Sequence, residues 1–491
     1  MKFNVSRRAF LGGAASFAVG GPGFAAAPQT SLRPQARVKR SAAERVIAAS
    51  GLSGEVAYAV ADASTGEILE MAGGEAGLPP ASVAKALTAL YALAALGPEH
   101  RYETRLIADG RIEDGVLHGN LILAGGGDPT LDTEALAEMA KQLRETGLRE
   151  VRGTFKVYNG ALPHTRSIDP GQPDHLGYSP AVSGIALNYN RVHFEWKRDV
   201  KGYAVTMDAR TRNYKPRVSM AQMQVVNRRV PVYTYEEAAR IDKWTVASQA
   251  LGKGGARWLP VRKPAHYAGD VFQTLARVNG IVLGKVNVTQ ARTGGAILVR
   301  HQSVPLVDIL RGMLKYSNNL TAEMVGMSAT SALYGRPASL IASARSMSDW
   351  AAATYGTRNT LLVDHSGLGD GSRMAPDDLV RAFVAAQKID ELQPLLKRFP
   401  MRDAEGREDR AHPIRVAAKT GTLNFVSALG GYAIAADGRD LAFAIFTADL
   451  DKRGKIARAD REVPPGARAW NRRSRRLQQK LIERWGALFG S

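Results

Sequence analysis

Residues 41–71 combine one helical pattern with two alternating ones. Residues 41–50 have the apolar spacing of a short helix. In residues 55–61 the larger apolar side chains, Val56, Tyr58 and Val60, fall at every second position, and residues 67–71 follow after the segment DASTG. Alternate positions share one face of a strand, and Asp, Ser, Thr and Gly are typical turn residues. We therefore predict a helix followed by a β-hairpin.

The next segment, residues 79–98 with the sequence PPASVAKALTALYALAALGP, is almost entirely apolar. The segment begins with a proline pair and ends with a Gly-Pro pair, as is typical of helix boundaries. Its one charged side chain is Lys85. Burying an unpaired ammonium is costly, so Lys85 lies either at the exposed mouth of this helix or in a site that lowers its pKa.

A mirror of this pattern occurs near the C-terminus. Apolar stretches at 414–418, 426–435 and 441–447 predict three strands, and an Asp-Gly pair at 437–438 predicts a hairpin turn. Residues 467–488 then have a helical pattern. We predict an α+β (mixed α/β) fold, in which the two early and three late strands form one five-stranded antiparallel sheet, with the terminal helices on one face.

The middle of the chain differs from both ends. Residues 104–299 are rich in strand and turn patterns and are interrupted by glycine clusters such as AGGGDPT and GKGGAR. We predict one inserted β-rich domain, or two nested ones. The expected organisation is a leader at 1–27, a first part of the main domain at 28–103, the insertion at 104–299, and a second part at 300–491.

The amino-acid composition limits which binding partners and site types are expected. The chain has 66 Lys and Arg against 46 Asp and Glu, a formal net charge of +20, and no Cys. A basic surface favours anionic surroundings such as nucleic acid, acidic lipid or acidic cell-wall material. The basic residues are scattered apart from one C-terminal cluster, and no aromatic–basic RNA-binding pattern occurs, so no nucleic-acid partner is expected. Without Cys, disulfides, thiolate metal sites and Cys nucleophiles are excluded.

The N-terminus predicts export. The sequence MKFNVSRRAFLGGAASFAVGGPGFAAAPQ has a basic start, an apolar centre and small residues near position 27, the layout of a cleaved signal peptide. SRRAFL at 6–11 resembles the bacterial twin-arginine signal, with an ordinary secretory signal as the alternative. No later stretch is apolar for 18 residues, so we expect a periplasmic protein without a transmembrane helix.

Ser82 and Lys85 form a Ser-x-x-Lys pattern on the predicted helix. Positions three apart lie on one helix face, so the Lys85 amine can reach the Ser82 hydroxyl. The helix N-terminus and the apolar surroundings both disfavour an ammonium, which makes Lys85 a candidate general base. The alternative is a capping serine beside a solvated lysine.

Two further motifs follow in the chain. Residues 317–319 read Ser-Asn-Asn and residues 419–422 read Lys-Thr-Gly-Thr. Ser-x-x-Lys, Ser-x-Asn and Lys-Thr-Gly in this order are the signature set of penicillin-binding proteins and class A β-lactamases. The candidate site residues are Ser82, Lys85, Ser317, Asn319, Lys419, Thr420, Gly421 and Thr422.

Further segments resemble one particular family among the proteins that share these three motifs. The long interval before Ser317, LAGGGDPTL at 123–131, DHSGLGDGSRMAP at 364–376 and KTGTL at 419–423 are similar to the D-alanyl-D-alanine carboxypeptidase/endopeptidase family of class C low-molecular-mass penicillin-binding proteins, peptidase family S13. One departure is Asn318, where the family often has Asp. The middle residue of this motif is not assigned the chemistry.

This resemblance implies a function. Ser82 would attack the D-Ala–D-Ala bond of peptidoglycan stem peptides with Lys85 as base, and Ser317 and Lys419 would help to protonate the departing amine. Asn319 would orient Lys85 and hold a substrate amide, the threonines and Lys419 would bind a carboxylate, and the oxyanion hole would use the backbone N–H groups of Ser82 and Thr422. β-Lactams would acylate Ser82, and no metal or organic cofactor is needed.

Three alternatives are weighed against this function. A β-lactamase or esterase of the same fold would carry the same motifs, and so would a non-catalytic peptidoglycan-binding protein that had lost the geometry. The run Asp-His-Ser at 364–366 contains triad residue types, but adjacent side chains cannot line up as a triad, so we predict a loop there. The sequence does not rank carboxypeptidase against endopeptidase action.

The C-terminal helix is amphipathic. Its apolar stripe consists of Trp470, Leu477, Leu481, Trp485 and Leu488. Its basic face consists of Arg472, Arg473, Arg475, Arg476, Lys480 and Arg484. We favour packing of the stripe on the sheet with the basic face solvated, and the same basic face is a candidate for peripheral contact with anionic membrane.

Overall fold

The computed structural model describes residues 41–292, 294–388 and 392–490. The predicted signal peptide and the polar segment that follows it lie outside these residues.

The helices agree with most of the predicted pattern. Residues predicted as helical at 41–50, 79–98 and 467–488 form helices with slightly shifted ends. The α-helices are α1 (Ala42–Ala49), α2 (Ala84–Leu96), α3 (Thr133–Glu145), α4 (Pro264–Val278), α5 (Leu306–Tyr316), α6 (Asn319–Tyr334), α7 (Leu340–Tyr355), α8 (Pro376–Gln387), α9 (Leu450–Gly454) and α10 (Ala467–Phe489).

The strands occur in groups along the chain. They are β1 (Glu55–Asp62), β2 (Ile68–Ala72), β3 (Glu103–Glu113), β4 (Val116–Gly125), β5 (Glu150–Val151), β6 (Phe155–Tyr158), β7 (Arg191–Asp199), β8 (Gly202–Asp208), β9 (Ala221–Val226), β10 (Tyr233–Glu237), β11 (Asp242–Ala247), β12 (Gly254–Pro260), β13 (Val286–Thr289), β14 (Ala296–Gln302), β15 (Lys397–Phe399), β16 (Arg415–Leu423), β17 (Val426–Ile434) and β18 (Asp440–Ala448).

The main sheet joins the two ends of the chain. Its strand order is β15-β16-β17-β18-β1-β2, and each neighbouring pair is antiparallel. The five predicted strands are therefore confirmed, and the short strand β15 adds a sixth at the edge. The predicted strand 414–418 was too short, because β16 continues to Leu423, with Lys419 opposite Gly430 and Gly421 opposite Ala428.

The two faces of this sheet are covered by different helices. On one face, small residues of β1, β17 and β18 pack with buried residues of α2 and α5–α8. On the other face, Tyr58 and neighbouring strand residues pack against α1 and α10, with the Tyr58 and Trp485 ring centroids 5.5 Å apart. The packing predicted for the C-terminal helix is confirmed except at Leu488, which is exposed, because Phe489 continues the stripe four residues after Trp485.

Three further sheets lie in and directly beside the predicted inserted region, residues 104–299. The largest has the order β13-β6-β4-β3-β14 with β5 beside β4, and the two smaller ones have the orders β10-β11-β9 and β12-β7-β8. Helices α3 and α4 share one apolar core with these strands. In chain order, β3 is the first strand of the large sheet and β14 is the last. These two strands pair with each other, so the chain enters and leaves the predicted inserted region at neighbouring strands.

No helix in the part of the chain that the structure describes is both long and apolar enough to span a membrane.

Candidate active site

Ser82 and Lys85 lie where the predicted helix begins. Ser82 is in a 3-10 turn, Ala81–Val83, and α2 starts at Ala84, so the helix predicted from the proline pair begins two residues after the serine. Ala81 has a φ of 45°, a left-handed conformation that turns the chain into this helix. The Lys85 side chain is fully buried, and its Nζ donates to Ser82 Oγ at 2.9 Å. The predicted contact between the two side chains is present.

The Lys85 amine has two further acceptors. Its Nζ donates to Asn319 Oδ1 at 2.7 Å and to the Ser366 carbonyl oxygen at 2.8 Å. Burial lowers the pKa of Lys85 well below the ordinary lysine range, and the nearby carboxyl groups of Glu323 and Asp364 oppose that shift. Asn319 and Ser366 hold the amine beside Ser82, and in the neutral amine the remaining position is a lone pair that can accept from the Ser82 hydroxyl, as a lysine base needs.

Glu323 is a buried site residue that the sequence analysis missed. Its Oε2 accepts from the His365 N–H at 2.8 Å and its Oε1 accepts from the Ser366 N–H at 3.0 Å. Burial raises the pKa of the Glu323 carboxyl. The carboxylate therefore fixes the backbone whose Ser366 carbonyl holds Lys85. A Glu four residues into a Ser-x-Asn helix was the sequence signal that could have pointed to it.

The Asp-His-Ser run lies in a loop, as predicted, and its side chains do not form a triad. The His365 ring lies 2.8 Å (Nε2) from Ser343 Oγ and 3.3 Å (Nδ1) from Met347 Sδ, both on α7. Burial lowers the pKa of His365 to about 3, so the ring is neutral at physiological pH. Asp364 Oδ1 instead accepts from the Gly367 N–H at 2.8 Å and shapes the loop. The run contributes a carbonyl group to the site, which was not predicted.

Ser317 and Lys419 form the second serine–lysine pair. Ser317 ends α5 in a left-handed conformation (φ 57°), and Lys419 Nζ donates to Ser317 Oγ at 2.9 Å and to the Thr420 carbonyl oxygen at 2.7 Å. Burial, with a smaller contribution from Lys85 and Lys397, lowers the pKa of Lys419 to about 6.

Asn318, between the two motif residues, has a structural role. Its Oδ1 accepts from the Thr321 N–H at 3.0 Å as the N-cap of α6. The departure from the family pattern at this position is therefore explained by capping, for which Asn serves as well as Asp.

The Lys-Thr-Gly segment forms a strand edge beside the nucleophile. Strand β15 pairs with β16 only as far as Ala418, so from Lys419 onward this edge of β16 has no strand partner among the described residues. Gly421 faces the 3-10 turn, where a Cβ would lie 3.0 Å from the Ser82 backbone nitrogen and 2.9 Å from the Pro80 oxygen. Glycine is required for this close approach.

A cleft of about 380 Å³ joins these groups, and Ser82, Ser317, Asn319 and Thr422 line it. The inserted region closes one side, where Asn319 Nδ2 donates to the Tyr178 carbonyl oxygen at 2.9 Å. Four of the eight candidate residues line this cleft. Of the other four, Lys85 and Gly421 adjoin Ser82, Lys419 adjoins Ser317, and the Thr420 carbonyl accepts from Lys419.

The chemistry of this site defines a class. An active-site serine acyl-transferase of the penicillin-recognising type has three parts. They are a serine hydroxyl hydrogen-bonded to a buried lysine, a second serine–lysine pair and a free strand edge. The protein matches the D-Ala-D-Ala carboxypeptidase 3 (S13) family over residues 40–463, and it belongs to that family. It is a serine-type D-Ala-D-Ala peptidase, as the family resemblance implied.

Relatives agree with this assignment. The chain is 27% identical over 403 residues to D-alanyl-D-alanine carboxypeptidase DacB of Haemophilus influenzae, a match that covers 77% of this chain and 83% of that one. It is 28% identical over 427 residues to the D-alanyl-D-alanine carboxypeptidase of Actinomadura sp. strain R39, covering 79% and 76%. The fold is similar to the crystal structure of Haemophilus influenzae penicillin binding protein 4, with a TM-score of 0.69 at 22% identity, covering 86% and 98%.

Proposed function

We propose that the protein hydrolyses the D-Ala–D-Ala bond of peptidoglycan stem peptides, with Ser82 as the nucleophile and Lys85 as its base. The observation that carries this proposal is the Lys85 amine, which donates to both Ser82 Oγ and Asn319 Oδ1 while fully buried. An amine held in this way is poised to take the hydroxyl proton once it is neutral.

In the first step, Ser82 Oγ bonds to the carbonyl carbon of the penultimate D-Ala as Lys85 takes the hydroxyl proton. The C–N bond to the terminal D-Ala then breaks, and its nitrogen receives a proton through Ser317, whose hydroxyl is bonded to Lys419. Water next attacks the ester on Ser82 and releases the shortened peptide. The oxyanion is stabilised by the backbone N–H groups of Ser82 and Thr422.

The substrate peptide extends along the free edge of β16. Strand addition at this edge supplies backbone hydrogen bonds at Thr420–Thr422, and the Asn319 amide faces the peptide from the opposite wall. The substrate carboxylate pairs with Lys419 and the hydroxyls of Thr420 and Thr422. We extend the proposal to D-alanyl–diaminopimelate cross-links, because their cleavage breaks the same kind of bond.

The proposed location is the periplasm, which places the enzyme beside its substrate. The signal-like sequence at 1–27 and the net charge of +20 support export toward an anionic cell wall. The basic face of α10 is exposed at Arg472, Arg473, Arg475, Arg476 and Lys480, while Arg484 is half-buried and pairs with Glu70. This face would give peripheral contact with acidic lipid headgroups.

Covalent labelling by a fluorescent penicillin tests the proposal. We expect a label on the wild type that persists over minutes, none on Ser82→Ala, and normal labelling of Ser346→Ala, a hydroxyl deletion on α7. Transient labelling with steady penicillin loss and no release of D-alanine from peptides would indicate a β-lactamase. No label on a folded wild type that still binds peptidoglycan would indicate a non-catalytic wall protein and overturn the acyl-enzyme.

A further inference from the structure

A second cavity adjoins the catalytic cleft. It has a volume of about 520 Å³, and it shares Tyr178, Ser317 and Asn319 with the cleft. Helix α5 forms one wall, and the inserted region forms the other with Tyr189 and Arg191. The two cavities therefore adjoin at Ser317, the serine placed beside the departing amine in the proposed function.

Arg191 is the notable charge in this second cavity. Its guanidinium lies 5.5 Å from the ring centroid of Tyr189 and 5.7 Å from that of Trp258. Within residues 41–292, 294–388 and 392–490, no carboxylate forms an ion pair with Arg191 and no acceptor is hydrogen-bonded to its guanidinium, and its Nε is buried without a partner. Half-buried arginines are normally paired, so this one is a ready site for an anion.

The remaining charge in the cavity does not neutralise Arg191. Asp308 on α5 also lines the cavity, but its carboxylate is paired with Arg311 one turn later. Desolvation lowers the pKa of Arg191, yet a guanidinium stays protonated at physiological pH. The cavity thus offers a fixed positive charge beside aromatic walls.

We propose that this second cavity binds the leaving peptide strand of a cross-linked substrate, and that Arg191 pairs with a carboxylate of that strand. The inference rests on the proposed function, because it takes Ser317 as the group beside the departing amine. A single departing D-Ala would not need a further cavity of about 520 Å³. A second stem peptide would, and it carries carboxylates of its own. Tyr178, Tyr189 and Tyr316, which are 43%, 38% and 73% exposed, offer apolar faces to its backbone.

Arg191 takes no part in the bond changes. Ser82 Oγ bonds to the D-Ala carbonyl carbon, the C–N bond to the diaminopimelate amine breaks, and that amine receives the proton. Water then releases the acyl group. Arg191 stays charged throughout, so it is a specificity residue that favours cross-linked over linear substrates.

The experiment compares two synthetic substrates with the wild type and Arg191→Gln. One is a pentapeptide ending in D-Ala–D-Ala, and the other is a dimer of stem peptides joined by a D-alanyl–diaminopimelate bond. We expect Arg191→Gln to lower kcat/KM for the dimer by about tenfold or more, the loss typical of a charge-assisted hydrogen bond. Hydrolysis of the pentapeptide and acylation by penicillin should change less than about twofold. Arg198→Gln, at an exposed position of the same strand, is the matched control.

Equal loss on both substrates, or no loss on either, would overturn the inference. So would a wild type that cleaves the pentapeptide but not the dimer, a result that leaves the proposed function intact. If Arg191→Gln does not fold, the wild type is tested on a dimer whose leaving-strand carboxylates are amidated. A fall of about tenfold in kcat/KM supports the carboxylate site, and an unchanged value overturns it. Failure of the proposed function itself is seen separately, as no pentapeptide hydrolysis and no penicillin label on the wild type.

Discussion

Lys85 Nζ donates to Asn319 Oδ1 at 2.7 Å although 234 residues separate the two along the chain. The inserted region lies between them in sequence, so the site is assembled only when both parts of the main domain fold together. The bond fixes the amine of a buried lysine that also contacts Ser82. The contribution of the Lys85–Asn319 hydrogen bond to acylation can be separated from the stability of helix α6, because Asn318 caps that helix and Asn319 does not.

Asn319→Ala should slow acylation of Ser82 by penicillin by about tenfold or more. The substitution removes one of three acceptors of the Lys85 amine and leaves the amine freer to turn away from the hydroxyl. Stopped-flow measurement of the acylation rate checks this.

Asn318→Ala is the matched control. It removes the N-cap of α6 and should cost about 1 kcal/mol in the free energy of unfolding, with the acylation rate nearly unchanged. Asn319→Ala with a wild-type rate, or Asn318→Ala with the larger loss of rate, would contradict the assignment of roles.

Glu323→Gln should move the pH dependence of acylation to lower pH. Lys85 acts as a base when its amine is neutral, so the rate rises with pH through the Lys85 pKa and then levels off. The Glu323 charge favours the ammonium and raises that pKa, so its removal lowers the midpoint. The measurement is the acylation rate from pH 5 to 10 for the wild type and the variant.

Glu103→Gln, a half-buried position on β3, should leave the midpoint unchanged. A midpoint that stays in place in Glu323→Gln would mean that Glu323 is uncharged in the native protein and supports Lys85 only through the loop.

The candidate site residues could be found in the sequence because they are concentrated in three short motifs. Side chains three apart on a helix face the same way, so the Ser82–Lys85 contact follows from spacing alone. The main sheet followed from alternation and turn residues at both chain ends. The contact between Lys419 and Ser317 followed from the family resemblance, since nothing local relates a strand to a turn 102 residues away.

Other contacts of the site could not be predicted from the sequence pattern. The Ser366 and Tyr178 contacts use backbone carbonyl groups, which every residue type has. Glu323 is a buried acid in a helix, and only the tertiary structure shows that it accepts from two loop N–H groups. The start of α2 after Ser82 depends on the left-handed backbone at Ala81, which apolar periodicity does not predict.

Binding of a carboxylate substrate should take up about one proton near neutral pH. Burial lowers the pKa of Lys419 to about 6, so above that pH the amine is largely neutral in the free enzyme. A bound carboxylate raises the pKa again, so affinity should fall as pH rises above about 6. Calorimetric titration of Ser82→Ala with a D-Ala–D-Ala peptide, in buffers of different protonation enthalpy, counts the protons.

In the Ser82→Ala background, Lys419→Arg should abolish the proton uptake, because the guanidinium is charged at every pH tested. Binding without proton uptake by the Ser82→Ala protein at pH 7.5 would show that Lys419 is already charged in the free enzyme.

Gly326→Ala should destabilise the protein and slow acylation together. A Cβ at Gly326 would clash with Cγ and Nδ1 of the buried His365 ring, which Ser343 also holds. Overpacking of this kind costs about 1–3 kcal/mol, and a shift of His365 displaces the adjoining Ser366 carbonyl from the Lys85 amine. Gly312→Ala, in α5, meets open space and should stabilise by about 0.5–1 kcal/mol. Thermal unfolding of both variants beside their acylation rates gives the comparison. A Gly326→Ala variant that loses stability but keeps the wild-type rate would contradict this prediction. It would mean that the position of the loop carrying Ser366 does not depend on α6, although two N–H groups of that loop donate to Glu323.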